Sequence, residues 1–246
     1  MNNNINVANN STIPIAIASN DKLINIEFKH VVTLISGKPG SGKSTIVRQM
    51  LTYMSKNKEQ WPYEVFLADT TGYEFTKPND LPPNIMKNSL FGVNEEDILE
   101  FLDTLYAEFV KKRDALIKNN CYNIDINSIS VVLIDDIYNL LENITSQKYI
   151  DKFVEVITTG WVCGFRFVFF CQDYHYAYMK LPMIVKQMIG QKIHLSPYKK
   201  RDIIEFIRED NLNDEIDDNE ERFSVIIKKK DKEYLEKGKL FMLVKY

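Results

Sequence analysis

The chain has 246 residues, of which 45% are hydrophobic and 12% aromatic, and it carries a net charge of −3. Such a composition provides for one large buried core and excludes a chain disordered throughout. The weakly acidic balance excludes a protein that coats nucleic acid non-specifically, so any DNA contact has to come from a local basic patch or from a pore built by assembly. Cys121, Cys163 and Cys171 lack metal-ligand spacing and read as reduced thiols, with Cys171 packed in a strand. His30, His175 and His194 are scattered, which gives no support to a metal site or a Ser/His/Asp triad. No apolar run approaches the about 18 residues of a spanning helix, and residues 1–20 lack a basic start followed by an apolar stretch. No membrane requirement is expected.

Residues 1–20, rich in Asn, Ser and small side chains, read as a flexible N-terminal arm, with residues 21–246 as a single domain. Within the arm, Ile15, Ala16 and Ile17 follow Pro14 and could add to a sheet edge. Residues 23–28 alternate as a short strand, and residues 31–35 (VVTLI) form a buried-strand run. Directly after comes SGKPGSGKST, residues 36–45, in which Gly37, Gly42, Lys43 and Ser44 satisfy G-x-x-x-x-G-K-[ST]. A phosphate chain needs backbone N–H groups aimed at it from several sides. Gly37, Gly40 and Gly42 allow the tight approach, while Lys38, Pro39, Ser41 and Thr45 complete the cradle. The next helix, with Ile46, Val47, Met50, Leu51 and Met54 at helical spacing, adds its positive N-terminal end. In such a loop Lys43 reaches the β- and γ-phosphates of ATP, and the Ser44 hydroxyl ligates Mg²⁺.

Residues 64–69 (EVFLAD) form a second buried-strand candidate, and residues 77–83, with three prolines, a loop. Asn94 before Glu95, Glu96 and Asp97 marks a capped helix start, after which Ile98, Phe101, Leu102, Leu105 and Phe109 share one face. Lys111, Lys112 and Arg113 read as the solvated, dipole-matched end of that helix rather than as a nucleic-acid patch. Residues 130–136 (SVVLIDD) then place four apolar residues before two carboxylates, as a central parallel strand delivers acidic groups to a ligand site at its C-terminal end. In this Walker B pattern Asp135 holds Mg²⁺, and Asp136 orients and deprotonates the attacking water. Residues 165–171 (FRFVFFC) form a further buried strand that delivers Gln172, positioned to contact the γ-phosphate or the water from between the P-loop and Walker B strands. Residues 192–195 read as a last core strand, 199–208 as a basic helix and 209–221 as an acidic surface loop. Residues 223–230 and 239–246 pair as a terminal β-hairpin.

A P-loop, a Walker B strand ending in two aspartates, and a further strand ending in Gln172 resemble the FtsK–HerA superfamily. Within it the likeness is to genome-packaging ATPases of double-stranded DNA viruses, most of all those of a virophage or a related small DNA virus. Residues 66–73 (FLADTTGY) are similar to the second strand of that family and its turn. The resemblance covers residues 31–195. It implies an α/β P-loop NTPase fold, a mostly parallel central sheet flanked by helices, with Gln172 as the sensor. It also implies ATP hydrolysis coupled to translocation of double-stranded DNA through a homo-oligomeric, hexameric ring. Capsid vertex proteins would be further partners, and the host cytoplasm or the virion the setting. Many relatives place an arginine finger near the position of Trp161, where this chain has Trp161, Val162, Cys163 and Gly164. Arg166, Arg201 and Arg208 are the substitutes. For DNA contact, Lys77, Lys111, Lys112, Arg113, Lys180 and Lys186 are candidates. A nucleotide or small-molecule kinase and a nucleotide-dependent assembly switch share the P-loop. No arginine-rich lid of the kinase type is evident, however, and the transporter signature LSGGQ is absent.

Overall fold

Runs of β-branched and aromatic residues build the centre of the fold, where strands buried on both faces need no polar alternation. The computed structural model describes residues 11–18, 20–60, 62–72, 81–118, 128–173, 177–178, 180–195, 224–231 and 236–240. The strands are β1 (Thr12–Ala18), β2 (Leu23–Glu27), β3 (Val32–Gly37), β4 (Tyr63–Asp69), β5 (Met86–Phe91), β6 (Ile129–Asp135), β7 (Phe165–Cys171), β8 (Ile189–Leu195), β9 (Ser224–Lys229) and β10 (Glu236–Leu240). They form one sheet in the order β2-β1-β10-β9-β8-β3-β7-β6-β4-β5. From β8 to β5 every pairing is parallel. The remaining four strands add antiparallel to the β8 side.

The helices are α1 (Lys43–Lys56), α2 (Glu95–Lys118), α3 (Ile137–Glu142), α4 (Gln147–Thr159) and α5 (Met183–Met188), and a 3₁₀ turn spans Gly160–Cys163. The side-chain period of two divides β7 between two cores. Phe165, Phe167 and Phe169 join Phe101, Leu105 and Phe109 of α2 and Phe153 of α4 on one face. Val168 and Phe170 join Ile46, Val47 and Met50 of α1 on the other. Each such buried side chain contributes roughly 1.5–3 kcal/mol. The mostly parallel sheet flanked by helices is thus the expected P-loop fold.

Four local expectations change. Thr12–Ala18 is not part of a loose arm: β1 lies inside the sheet between β2 and β10, with Ile13, Ile15 and Ala16 buried. Its register shifts between Pro14 and Ala16, an irregularity next to the residue that has no N–H to donate. Lys111, Lys112 and Arg113 do not end α2, which runs on to Lys118. Lys112 instead turns inward to Glu64, Ser128 and Ser130, while Arg113 pairs with Asp114 and Glu155. The hairpin of β9 and β10 forms, with its second strand starting at Glu236 rather than at residue 239. Strand β5 and helices α3, α4 and α5 are additional elements. The expected helix at 199–208, the acidic loop at 209–221, Lys77, Cys121 and His175 lie outside the described residues. Among the described residues no helix is long and apolar enough to cross a membrane.

Candidate nucleotide-binding site

β3 runs out at Gly37, and the chain turns through residues 38–42 into α1. Gly40 and Gly42 hold left-handed φ values of 78° and 110°, which a side chain would resist. Gly37 is fixed by space: a Cβ there would stand 2.4 Å from Ser41 Oγ and 2.9 Å from Leu195 Cβ. Gly42 caps α1 with no side-chain hydrogen bond, and the first turn carries no acidic residue. The positive helix end therefore faces the loop uncompensated by its own sequence. The Lys43 ammonium donates to Gly37 O at 2.7 Å and Lys38 O at 3.3 Å, which holds it at the loop. Ser41 Oγ is buried with no partner. Such an orphaned polar atom inside a glycine turn fits a cradle that receives an oxyanion. Ser44 and Thr45 follow on the first turn of α1, half-buried.

The neighbouring strands bring the other groups to the same sheet edge. Ser36 is in register with Cys171 on one side and His194 on the other, and Ser36 Oγ lies 2.7 Å from His194 Nδ1. Strand β7 lies between β3 and β6, so Gln172, exposed just beyond Cys171, emerges between the P-loop and Asp135. Asp135 is 3% exposed. Asp136 caps α3 in the left-handed region at φ 44°, a conformation that aspartate tolerates better than most residues, and its carboxylate accepts from Asn139 N. Burial pushes the Asp136 carboxyl up, and the Asn139 amide and Lys43 offset this in part. The Cys171 thiol is pushed well above its ordinary range by burial, with Asp136, Asp173 and Asp135 adding to the effect and Lys43 opposing it. Cys171 is in register with Ser36, and β7 pairs with β6, so these strand ends reach the same edge of the sheet. Ser44 and Asp135 offer hard oxygen donors, the chemistry that Mg²⁺ prefers.

Sequence reasoning left two supports without a role. Asp69 ends β4 in register with Asp135, is fully buried, and accepts from Thr71 N, Thr71 Oγ1 and Gly72 N at 3.1, 2.8 and 2.9 Å. Thr70 Oγ1 donates to Asp135 O at 3.0 Å and ties the ends of β4 and β6 together. The polar run Asp69, Thr70, Thr71, Gly72 closing an apolar strand was the signal. Arg166, in contrast, is removed as an arginine finger. It is 2% exposed and donates to Phe28 O, Trp161 O at 3.1 Å and Phe165 O at 2.7 Å, near the start of β7 and away from the P-loop. Arg201 and Arg208 lie outside the described residues. Of the candidate DNA contacts, Lys180 pairs with Glu142 at 3.2 Å, and Lys111 with Glu108 at 3.3 Å.

A glycine cradle between a parallel strand and a helix, with acidic strand ends beside it, defines a P-loop nucleoside triphosphatase. The chain belongs to the ATPase family associated with various cellular activities (AAA), which matches residues 33–162, just over half of its length. No curated protein matches the chain. Among solved structures it is similar to the cytoplasmic domain of the Thermomonospora curvata type VII secretion ATPase EccC, at 15% identity and a TM-score of 0.74 over 96% of this chain. It spans only 29% of that protein. EssC (ATPases 2 and 3) from Geobacillus thermodenitrificans is similar at 14% identity and a TM-score of 0.70, over 96% of this chain and 45% of that one. The genome packaging NTPase B204 of Sulfolobus turreted icosahedral virus 2 is similar at 13% identity and a TM-score of 0.51, over 85% of this chain and 97% of that one. At these identities the likeness is one of fold.

Proposed function

We propose that this ATPase is a DNA translocase of the FtsK–HerA type that packages double-stranded DNA into a viral capsid, as a hexameric ring working at the assembly site in the host cytoplasm. The observation that carries the reading is the place of β7, which sets Gln172 between the P-loop and the two aspartates. The fold likeness to a viral packaging NTPase of similar length adds support. Lys43 and the amides of residues 37–45 hold the triphosphate. Ser44 and Asp135 hold Mg²⁺, which when bound neutralises charge on the phosphate oxygens. Asp136, with its carboxyl raised by burial, takes the proton of the attacking water, and Gln172 positions that water or the γ-phosphate.

The greater likeness to secretion ATPases favours one other reading, in which the translocated polymer is a polypeptide. The test is the ATPase rate with and without duplex DNA, measured beside particle size at the same protein concentration. Under the DNA reading the rate rises with duplex when ring-sized particles are present. A rate indifferent to duplex in those particles overturns it.

A further inference from the structure

The last register steps of β3 and β8 carry a polar pair into the apolar middle of the sheet. Ser36 stands opposite His194, and one step further Gly37 stands opposite Leu195. The Ser36 hydroxyl and His194 Nδ1 are 2.7 Å apart, and the two residues are 1% and 9% exposed. Their strand neighbours on that face are apolar: Leu34 two residues earlier on β3, Cys171 in register with Ser36, and Ile226 in register with His194. Burying a hydroxyl and an imidazole there carries a desolvation cost that an apolar pair would not. Their bond offsets part of that cost, yet it is not needed to join the strands. β3 and β8 already share a parallel ladder from Val32 to Gly37. The place of the pair, one residue before the P-loop, points to a role in the site.

Gly37 is confined from the β8 side, since a Cβ added there would stand 2.9 Å from Leu195 Cβ. Its carbonyl accepts from the Lys43 ammonium at 2.7 Å. Three links therefore join β8 to the phosphate-binding lysine: His194 to Ser36 Oγ, the Ser36–Gly37 peptide, and Gly37 O to Lys43 Nζ. We propose that His194 is a positioning residue of the nucleotide site, which through Ser36 fixes the direction of the Gly37 carbonyl and thereby the place of the Lys43 ammonium. It acts without touching the nucleotide. A lysine head on a four-carbon stem has much rotamer freedom, so a fixed carbonyl partner lowers the entropy lost when it meets the phosphates. The inference rests on the P-loop as the nucleotide site and is independent of the DNA-translocase reading.

The test compares His194→Asn with His194→Leu. Oδ1 and Nδ2 of asparagine both branch from Cγ, as Nδ1 does, so Asn can keep the bond to Ser36 in either direction. Leucine has the same branching and no polar atom. Contacts made by the rest of the imidazole are lost in both variants. Affinity for a fluorescent ATP analogue with Mg²⁺ is titrated on the full chain, beside a urea midpoint for each variant. H194L should bind about tenfold more weakly than the parent, and H194N within about threefold of it. In a Ser36→Ala background the two should bind alike, at the weakened level. Equal affinities in H194L and H194N, or an Asn–Leu difference that survives in S36A, overturns the inference. A purely structural role would lower the urea midpoints and leave folded molecules with parental affinity, which also overturns it. Where H194L does not fold, S36A decides: a loss of about fivefold or more upholds the role, and parental affinity refutes it. A parent chain that binds no nucleotide overturns the P-loop reading itself and this inference with it.

Discussion

Arg166→Met separates a structural arginine from a catalytic one. The substitution keeps the apolar stem and removes every donor. In the native fold the guanidinium lies under the start of β7 and donates to the carbonyls of Phe28, Trp161 and Phe165. Burial holds its pKa down at about 10, against an ordinary 12.5, which corresponds to a cost of roughly 3 kcal/mol for carrying the charge there. Three hydrogen bonds from a charged donor return about 1.5–3 kcal/mol each and outweigh that cost. Methionine removes both sides of this balance but leaves carbonyls buried at about 1–3 kcal/mol apiece, while Trp161 O keeps a second donor, Gly164 N. A net loss of about 2–4 kcal/mol is expected, read as a lower urea midpoint at an unchanged slope. ATP turnover per folded molecule should stay within about twofold of the parent. The opposite pattern refutes the reasoning: stability within about 0.5 kcal/mol of the parent and turnover lower by about 10³ or more, the effect of removing an arginine from a phosphoryl-transfer site.

Asp136→Asn should lower ATP turnover by about 10²–10⁴ while nucleotide affinity stays within a few-fold; turnover at the parent rate would exclude Asp136 as the base. Because burial raises the Asp136 carboxyl and the base must be ionised, the acid limb of the turnover-against-pH profile should lie above the about 3.9 of an unperturbed aspartate; a profile flat to that pH would contradict the assignment. Gly37→Ala drives a methyl into Ser41 and Leu195, so nucleotide affinity should fall at least tenfold by equilibrium titration, and an unchanged affinity would mean that the loop yields at little cost. Burial pushes the Glu64 carboxyl up, but its bonds and charge pairing with Lys112 and Lys87 prevail and hold it at about 2. Its stabilisation is therefore complete above the ordinary carboxylate value of 4.5 and is lost as pH falls from there towards 2. The amount, discounted for solvent screening of a partly open site, is about 1–2 kcal/mol, and urea midpoints across that window should flatten in Glu64→Gln.

Much of the fold could be read from local pattern because its central strands are apolar runs bounded by polar turns. Residues 165–171 show this best: six hydrophobic residues surround a single arginine, and the strand has the expected bounds. What escaped was set by long-range pairing. Nothing in the spacing of residues 12–18 says that β10, more than 200 positions later, will cover one side of β1. Strand β5 escaped because its exposed edge position leaves Lys87 and Ser89 on the outside and only Leu90 fully buried. Lys112 was misjudged although a signal existed. It stands three residues beyond Phe109, on the buried stripe of α2, and its ammonium lies 5.5 Å from the Phe165 ring centroid. A basic residue on an apolar stripe asks for an internal carboxylate, and Glu64 on β4 supplies it.

The site was more legible than the fold because its chemistry is written in short segments. A glycine cradle depends on the conformations of a few consecutive residues, and a strand-end aspartate on the strand that carries it, so each part can be recognised alone. Their assembly depends on strand order: with β7 inserted between β3 and β6, Gln172 and Asp135 border the P-loop from adjacent strands, whereas a β7 not next to β3 would take Gln172 away from it. The same order explains why Arg166 cannot serve where Gln172 does. Side chains near the first residues of a parallel strand lie at the sheet edge away from the ligand, and only those beyond its last residues reach the crevice. Five positions along β7 therefore separate a buried structural arginine from Cys171, whose thiol already feels the aspartates and the P-loop lysine. An arginine acting on the γ-phosphate has to come from another segment or from a neighbouring subunit.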